Sequence, residues 1–261
     1  MKLIIGIPAL GQEETLKKNI DLLIENASEK PQIVVFDNGS NPKISRSRKY
    51  DIIRSSTNLG VPEAMSRIME KYDADWYMMI HSDVSIYEKD WDVKLKQTIT
   101  ELELAGKVPG VIGGFGSLQL GSNNIYQKPY EKTDMMRAYN IAGQKNRLGA
   151  EHGYKKFDEL YKECITLDGY WLTVRKGLNF WDNAPHHMYD HDICMESIDQ
   201  GMTNYTINVD HLHEGGVTVC NEDWASDLKM GEDEIHDLAH TEFYEKWKGK
   251  LPQSHQDIFF Y

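Results

Sequence analysis

Residues 73–86 read DADWYMMIHSDVSI. Trp76 to Ile80 is an unbroken apolar run, the pattern of a strand buried on both faces at the middle of a parallel sheet. The run ends in His81, Ser82 and Asp83 before apolar character returns at Val84 and Ile86. A carboxylate at the end of a central strand is costly to desolvate unless something cationic meets it. Asp83 therefore has two readings here: a solvated strand end or helix cap, or a ligand for a hard divalent cation such as Mg2+ or Mn2+.

On either side of this strand, residues 1–115 alternate strand-like and helix-like segments at short spacing, which implies a parallel sheet built by crossovers. Strands are expected at 3–7, 32–36, 51–54, 76–80 and 108–115, and helices at 13–27, 62–72 and 91–104. Leu16, Ile20, Leu23 and Ile24 recur at helical spacing, and Pro62 falls in a first turn, where proline is tolerated. Beyond 116 the alternation fades into loops and polar helices at 121–124, 135–144 and 154–162. Strands return at 164–174 and 204–209 around a helix at 190–200, and 222–248 reads as a charged helical tail. Three parts follow: a nucleotide-binding type of α/β half (1–115), a half whose loops shape something else (116–220), and a C-terminal helical tail (221–261).

Composition narrows the function classes. With 261 residues, 40% of them hydrophobic and 27% charged, the chain can bury a substantial core as an ordinary globular protein. Its apolar runs are too short to cross a bilayer. The opening MKLIIGIPALG reads as a first strand rather than a signal peptide, because it runs at once into QEETLKK. Three widely separated cysteines (Cys164, Cys194, Cys220) form no CxxC pattern, which fits buried thiols in a reducing cytoplasm. A net charge of -12 argues against gripping duplex DNA as the main task. One basic segment stands out, with Lys43, Arg46, Arg48, Lys49 and Arg54 against Asp51, either a solvated loop or an anion site.

In open α/β sheets ligands sit beyond the carboxyl ends of the strands. Four loops fall there: Pro8 and Ala9, residues 37–40 (DNGS), residues 54–60, and residues 81–83. RSSTNLGVPEAM (54–65) sets a cation, an amide and a glycine just before a helix, so that backbone and helix N–H groups can approach an anion. Taken singly, each loop is an ordinary turn or cap; their order after successive strands makes them a crevice. Later, HHMYDHDICMESIDQGM (186–202) places Asp190 and Asp192 at a helix start, where one can enter a cleft while the other caps or pairs. In VDHLHEGG (209–216) strand alternation sends His211 and His213 to the same face, as ligands or as core residues.

Seven ordered segments carry a resemblance: IIGIPALGQEETLKKNI, VVFDNGS, RSSTNLGVPEAMSRIM, WYMMIHSDVSI, DGYWLTVRKG, YDHDICMESIDQGM and HLHEGG. In this order they resemble the inverting family 2 glycosyltransferases of GT-A fold. That resemblance implies a Rossmann-like α/β domain with a mixed, mostly parallel central sheet flanked by helices. It also implies transfer of a sugar from a UDP-, GDP- or TDP-sugar to an acceptor hydroxyl, with Mn2+ or Mg2+ as cofactor. Asp37 would contact the base, with Arg54, Asn58 and Gly60 along the nucleotide and diphosphate, and Pro8, Asn38 and His81 completing that site. The metal ligands would be Asp83 and His213. Asp190 would be the catalytic base with Asp192 beside it, and Gly169, Trp171 and His211 would meet the sugar or acceptor. The acceptor class implied is a glycan or glycoconjugate. Two alternatives stand beside this: a degenerate GT-A domain that only binds a nucleotide sugar, and a phage-type enzyme that glycosylates modified DNA bases. The sequence departs from the family pattern twice. His81 replaces the first acid of Asp-x-Asp, and Tyr189 stands where a leading acid is common.

Overall fold

Runs of isoleucine, valine and methionine form the middle of an eight-stranded sheet. Its order is Tyr161–Cys164, Thr203–Ile207, Pro109–Gly113, Trp171–Arg175, Trp76–Ile80, Leu3–Ala9, Gln32–Asn38 and Asp51–Ser55. The computed structural model describes residues 1–117, 119–120, 138–140, 155–156, 159–180, 187–214, 231–251 and 253–254. Trp171–Arg175 and Tyr161–Cys164 run antiparallel to their neighbours, whereas the other neighbouring strands pair in parallel. The architecture is α/β, a mostly parallel central sheet flanked by helices.

The unbroken apolar run at Trp76–Ile80 is explained by packing on both faces. Trp76, Met78 and Ile80 join Leu16, Ile20 and Leu23 of the helix Glu13–Glu25 and Leu95 and Ile99 of the helix Trp91–Leu104. Tyr77 and Met79 face the other way, onto Ala64, Met65 and Ile68 of the helix Val61–Lys71 and Ile193 and Cys194 of the helix Tyr189–Asp199. Period-two geometry sends successive side chains to opposite faces, so every one of them must be apolar. One neighbour of this strand is antiparallel, however, so it marks the seam between the parallel half and the antiparallel strand Trp171–Arg175.

Several expected elements differ. The first strand continues through Pro8 to Ala9, since proline fits extended backbone and forfeits only one ladder donor. The single strand expected at 164–174 is three: Tyr161–Cys164, Thr166–Leu167 and Trp171–Arg175. The chain leaves the main sheet so that Thr166–Leu167 can pair with Gly116–Ser117, and it turns at 168–170. There Asp168 N–H donates to Phe115 O at 2.9 Å and Tyr170 N–H to Asp168 Oδ1 at 3.2 Å. The polar helices expected at 135–144 and 154–162 are contradicted by strands at Ala138–Asn140, Lys155–Lys156 and Tyr161–Cys164. A segment without an apolar stripe gains little as a helix, and a neighbouring strand edge satisfies its backbone instead. The expected helix at 121–124 lies outside the described residues. So does the start of the tail helix, which runs Glu232–Trp247 where described.

Val84–Ile86 forms a short strand that pairs antiparallel with His211–His213, a contact between segments more than a hundred residues apart. Cys164 and Cys194 are free and buried, and burial pushes both thiols well above their usual range, as expected of packing residues. Among the described residues, no helix is long and apolar enough to cross a membrane.

Candidate active site

Parallel pairing places the ends of Leu3–Ala9, Gln32–Asn38, Asp51–Ser55 and Trp76–Ile80 at one edge. The antiparallel strand Trp171–Arg175 begins there too, because Trp171 lies opposite Ile80. The turn 168–170 therefore hangs over the same edge as His81, and His81 N–H donates to Tyr170 O at 2.9 Å.

On one flank the loops after the second and third strands interlock. Asn38 Nδ2 donates to Asn58 Oδ1 at 2.7 Å and to Gly60 O at 3.1 Å, while Leu59 N–H donates to Asn38 Oδ1 at 2.8 Å. Gly39 has φ +90, and a Cβ there would come within 2.7 Å of the Thr57 carbonyl carbon, so only glycine lets the two loops touch. Asp37 is buried and its carboxylate is already filled, by Ser40 N–H and Ile44 N–H at 3.1 Å each and by Arg54 Nη1 at 2.6 Å. Arg54 also donates to Ile44 O at 2.6 Å. The structure thus turns Asp37 and Arg54 towards each other, where they set the course of the loop between them. Arg54→Met should lower stability by about 2–3 kcal/mol in urea unfolding. The loss stays below that of a fully buried pair because Asp37 keeps two backbone donors. No loss at all would mean that the pair is not formed.

At the centre lie His81, Asp83 and His213. One ligand-capable atom from each falls within 4.8 Å of the others. His213 Nε2 is 3.5 Å from Asp83 Oδ1, with the two side chains 20% and 8% exposed. Among the described residues His213 makes the only ion pair to Asp83. Burial opposes charge on both, but their hydrogen bond and mutual attraction win, lowering the Asp83 carboxyl and raising the His213 imidazole. Burial drives His81 down to about 4, so its ring is neutral near pH 7. Its Nε2 lies 3.0 Å from the Tyr189 hydroxyl. Asn19, buried on the first helix, braces the turn from below, with Nδ2 on Ser82 O at 2.8 Å and Oδ1 accepting Ser85 Oγ–H at 2.6 Å.

Two imidazoles and one carboxylate are a donor set that divalent first-row ions accept. The donor chemistry at this position therefore fits the metal that the resemblance implied, with His81 beside the two expected ligands.

On the far flank, Asp190 sits in the first turn of its helix. Its Oδ2 accepts Gly169 N–H at 3.0 Å, and its Oδ1 accepts both the backbone N–H and the ring Nδ1 of His191 at 2.8 Å. Burial pushes its pKa up, but His191 and these N–H donors outweigh that and hold it ionised. Asp168, on the same turn as Gly169 and Tyr170, is exposed at its surface, and its pKa is raised by desolvation from the surrounding protein and by the charge of Asp190.

Three sequence expectations need correction in place. Asp192 points away from the crevice, accepting Trp247 Nε1–H at 2.7 Å and Lys246 Nζ–H at 2.9 Å, so it tethers the C-terminal helix. Residues two apart on a helix diverge by more than a right angle, so only one of the two acids can reach the cleft. Trp171 is fully buried in the core, the direction that strand alternation imposes. His211 is also fully buried, with Nδ1 on Val209 O at 2.7 Å and Nε2 on the Tyr170 hydroxyl at 2.8 Å. It acts through Tyr170, whose ring stacks on His213 with centroids 4.5 Å apart. Asp168, Tyr170 and His191 were not among the expected site residues, and Tyr189 entered only as a departure from the family pattern, although all four lie inside segments that carried the resemblance.

The comparisons with known proteins bear on the fold and the family. No curated protein matches the sequence. The crystal structure of Staphylococcus aureus TarS 1-349 superposes with a TM-score of 0.53 at 13% identity, over 94% of this chain and 72% of that one. The same TarS fragment in complex with UDP-GlcNAc gives 0.52 at 13% identity, over 81% of this chain and 58% of that one. A mannosyltransferase from Pyrobaculum calidifontis, in complex with GDP-Man and Mn2+, gives 0.52 at 11% identity, over 95% and 71%. At these identities the likeness is one of fold. The sequence itself matches the family described as Glycosyl transferase family 2 over residues 4–148, more than half of its 261 positions, and the chain belongs to that family.

Proposed function

We propose that this chain is a metal-dependent inverting glycosyltransferase, moving a sugar from a nucleoside-diphosphate sugar to a hydroxyl of a glycan or glycoconjugate. One observation carries it: the turn 168–170 is bonded at once to His81, through Tyr170 O, and to Asp190, through Gly169 N–H. Three groups able to hold a cation and a carboxylate held ionised by its neighbours thereby lie on the same sheet edge. The titles of the similar structures support the donor class, since TarS holds UDP-GlcNAc or UDP and the mannosyltransferase holds GDP-Man with Mn2+.

In this reading residues 1–115 supply the nucleotide-sugar half, 116–220 the acceptor half of the same GT-A domain, and 221–261 a helical tail. Asp83 and His213 would hold Mn2+ or Mg2+, which when bound offsets the negative charge of a departing diphosphate. Asn38, Asn58 and Gly60 hold the loops against which the nucleotide lies, beside Pro8, Asp37 and Arg54. Asp190 takes the proton of the acceptor hydroxyl as its oxygen attacks the anomeric carbon. The new C–O bond forms on the face opposite the leaving group, the bond to the diphosphate breaks, and its electron pair leaves with the diphosphate. Positive charge builds at the anomeric carbon meanwhile, as in glycoside hydrolysis. The buried thiols suit work in a reducing cytoplasm.

Thermal unfolding with UDP, GDP, TDP or CDP, each with and without Mn2+, tests the donor class. One nucleotide at 100 times its Kd should stabilise by about 2.7 kcal/mol, and only when metal is present. If none stabilises the protein, or metal makes no difference, the proposal falls.

A further inference from the structure

The two positions at which the sequence departs from its family pattern touch each other. His81 Nε2 and the Tyr189 hydroxyl are 3.0 Å apart, although 108 residues separate them in the chain. Gly169 makes room for the contact, because a Cβ there would lie 2.3 Å from the same hydroxyl. Tyr189 is buried, so its hydroxyl is committed to this partner rather than to bulk water.

We propose that Tyr189 orients His81 as a third metal ligand, making the site selective for Mn2+, Co2+ or Zn2+ over Mg2+. This rests on the reading above, that Asp83 and His213 hold a divalent ion. A neutral imidazole has one N–H and one lone pair. When one ring nitrogen is engaged by Tyr189 as N–H donor, the other keeps its lone pair for an ion and the ring is held in place. That is the usual support for a metal-bound histidine. His213 is braced in a parallel way, by the stacked ring of Tyr170, which is itself tied to His211. Mg2+ favours oxygen donors and keeps its waters, imidazole suits Co2+ and Zn2+ best, and Mn2+, first in the transition series, falls between them. Exchanging an acid for histidine at position 81 therefore moves the site away from Mg2+. The competing role for His81 is a contact to the nucleotide, which would leave binding of metal alone untouched.

Calorimetric titration with MnCl2 and MgCl2, without nucleotide, separates these cases in the wild type and in His81→Asp, Tyr189→Phe and Asp83→Ala. Wild type should bind Mn2+ more tightly than Mg2+, and His81→Asp should shrink that preference by roughly tenfold or more. Tyr189→Phe keeps the ring packing and should weaken Mn2+ by about tenfold, the lower end for losing a supporting partner. Cobalt-loaded wild type and Tyr189→Phe should also differ in their visible absorption bands. If both variants keep the wild-type ratio and affinity while Asp83→Ala loses the metal, His81 is not a ligand and this inference fails alone. If Asp83→Ala also binds metal normally, the underlying metal-site reading fails with it.

Discussion

Asp190→Asn should lose turnover by about 10²-fold or more while binding nucleoside diphosphate as tightly as the wild type. The amide is nearly isosteric, and its oxygen can still accept the Gly169 N–H that anchors the side chain at 3.0 Å. What it cannot do is take a proton from an attacking hydroxyl. Donor affinity should survive because Asp190 sits on the flank opposite the interlocked loops of Asn38 and Asn58. Initial rates with saturating donor, alongside calorimetry with the diphosphate, make the comparison. Near-normal turnover would remove Asp190 from the role of base and direct attention to Asp168, the acid on the adjoining turn whose pKa is raised by the charge of Asp190.

Asp83→Ala should abolish the metal-dependent part of diphosphate binding and cut turnover by about 10³-fold. A metal contributes several kcal/mol to charge stabilisation, and each 1.36 kcal/mol is tenfold in rate. The metal-free variant should meanwhile unfold more easily than the wild type. Attraction between Asp83 and His213 outweighs the burial of both, and removing the carboxylate leaves the imidazole buried without its counter-charge. Lower stability in the metal-free variant, with metal-dependent binding intact, would make Asp83 a structural acid.

Both variants concern residues that were legible in the sequence, and the reason is local. Strand ends in a parallel sheet point at a crevice, so an acid directly after the run Trp76–Ile80 had to lie there. Asp190 was legible for a similar reason, as an acid in the first turn of a helix. Its neighbour Asp192 was not separable from it, because both satisfy the same local pattern. Lys246 and Trp247 claimed one of the two, from a helix more than fifty positions away. The resemblance implied that Trp171 and His211 meet the sugar or acceptor, yet one fills the core and the other bonds Tyr170.

Order and period are properties of neighbouring residues, and they alone determined the α/β alternation through the helix Trp91–Leu104, the buried seam strand and the crevice loops. Which polar groups meet was decided only by the tertiary structure. Tyr189 closing on His81, Asp37 turning to Arg54, and His211–His213 laid beside Val84–Ile86 are pairings across long stretches of chain. The physical reason is that a buried polar atom must find its partner wherever packing brings one, and local periodicity carries no record of that distance.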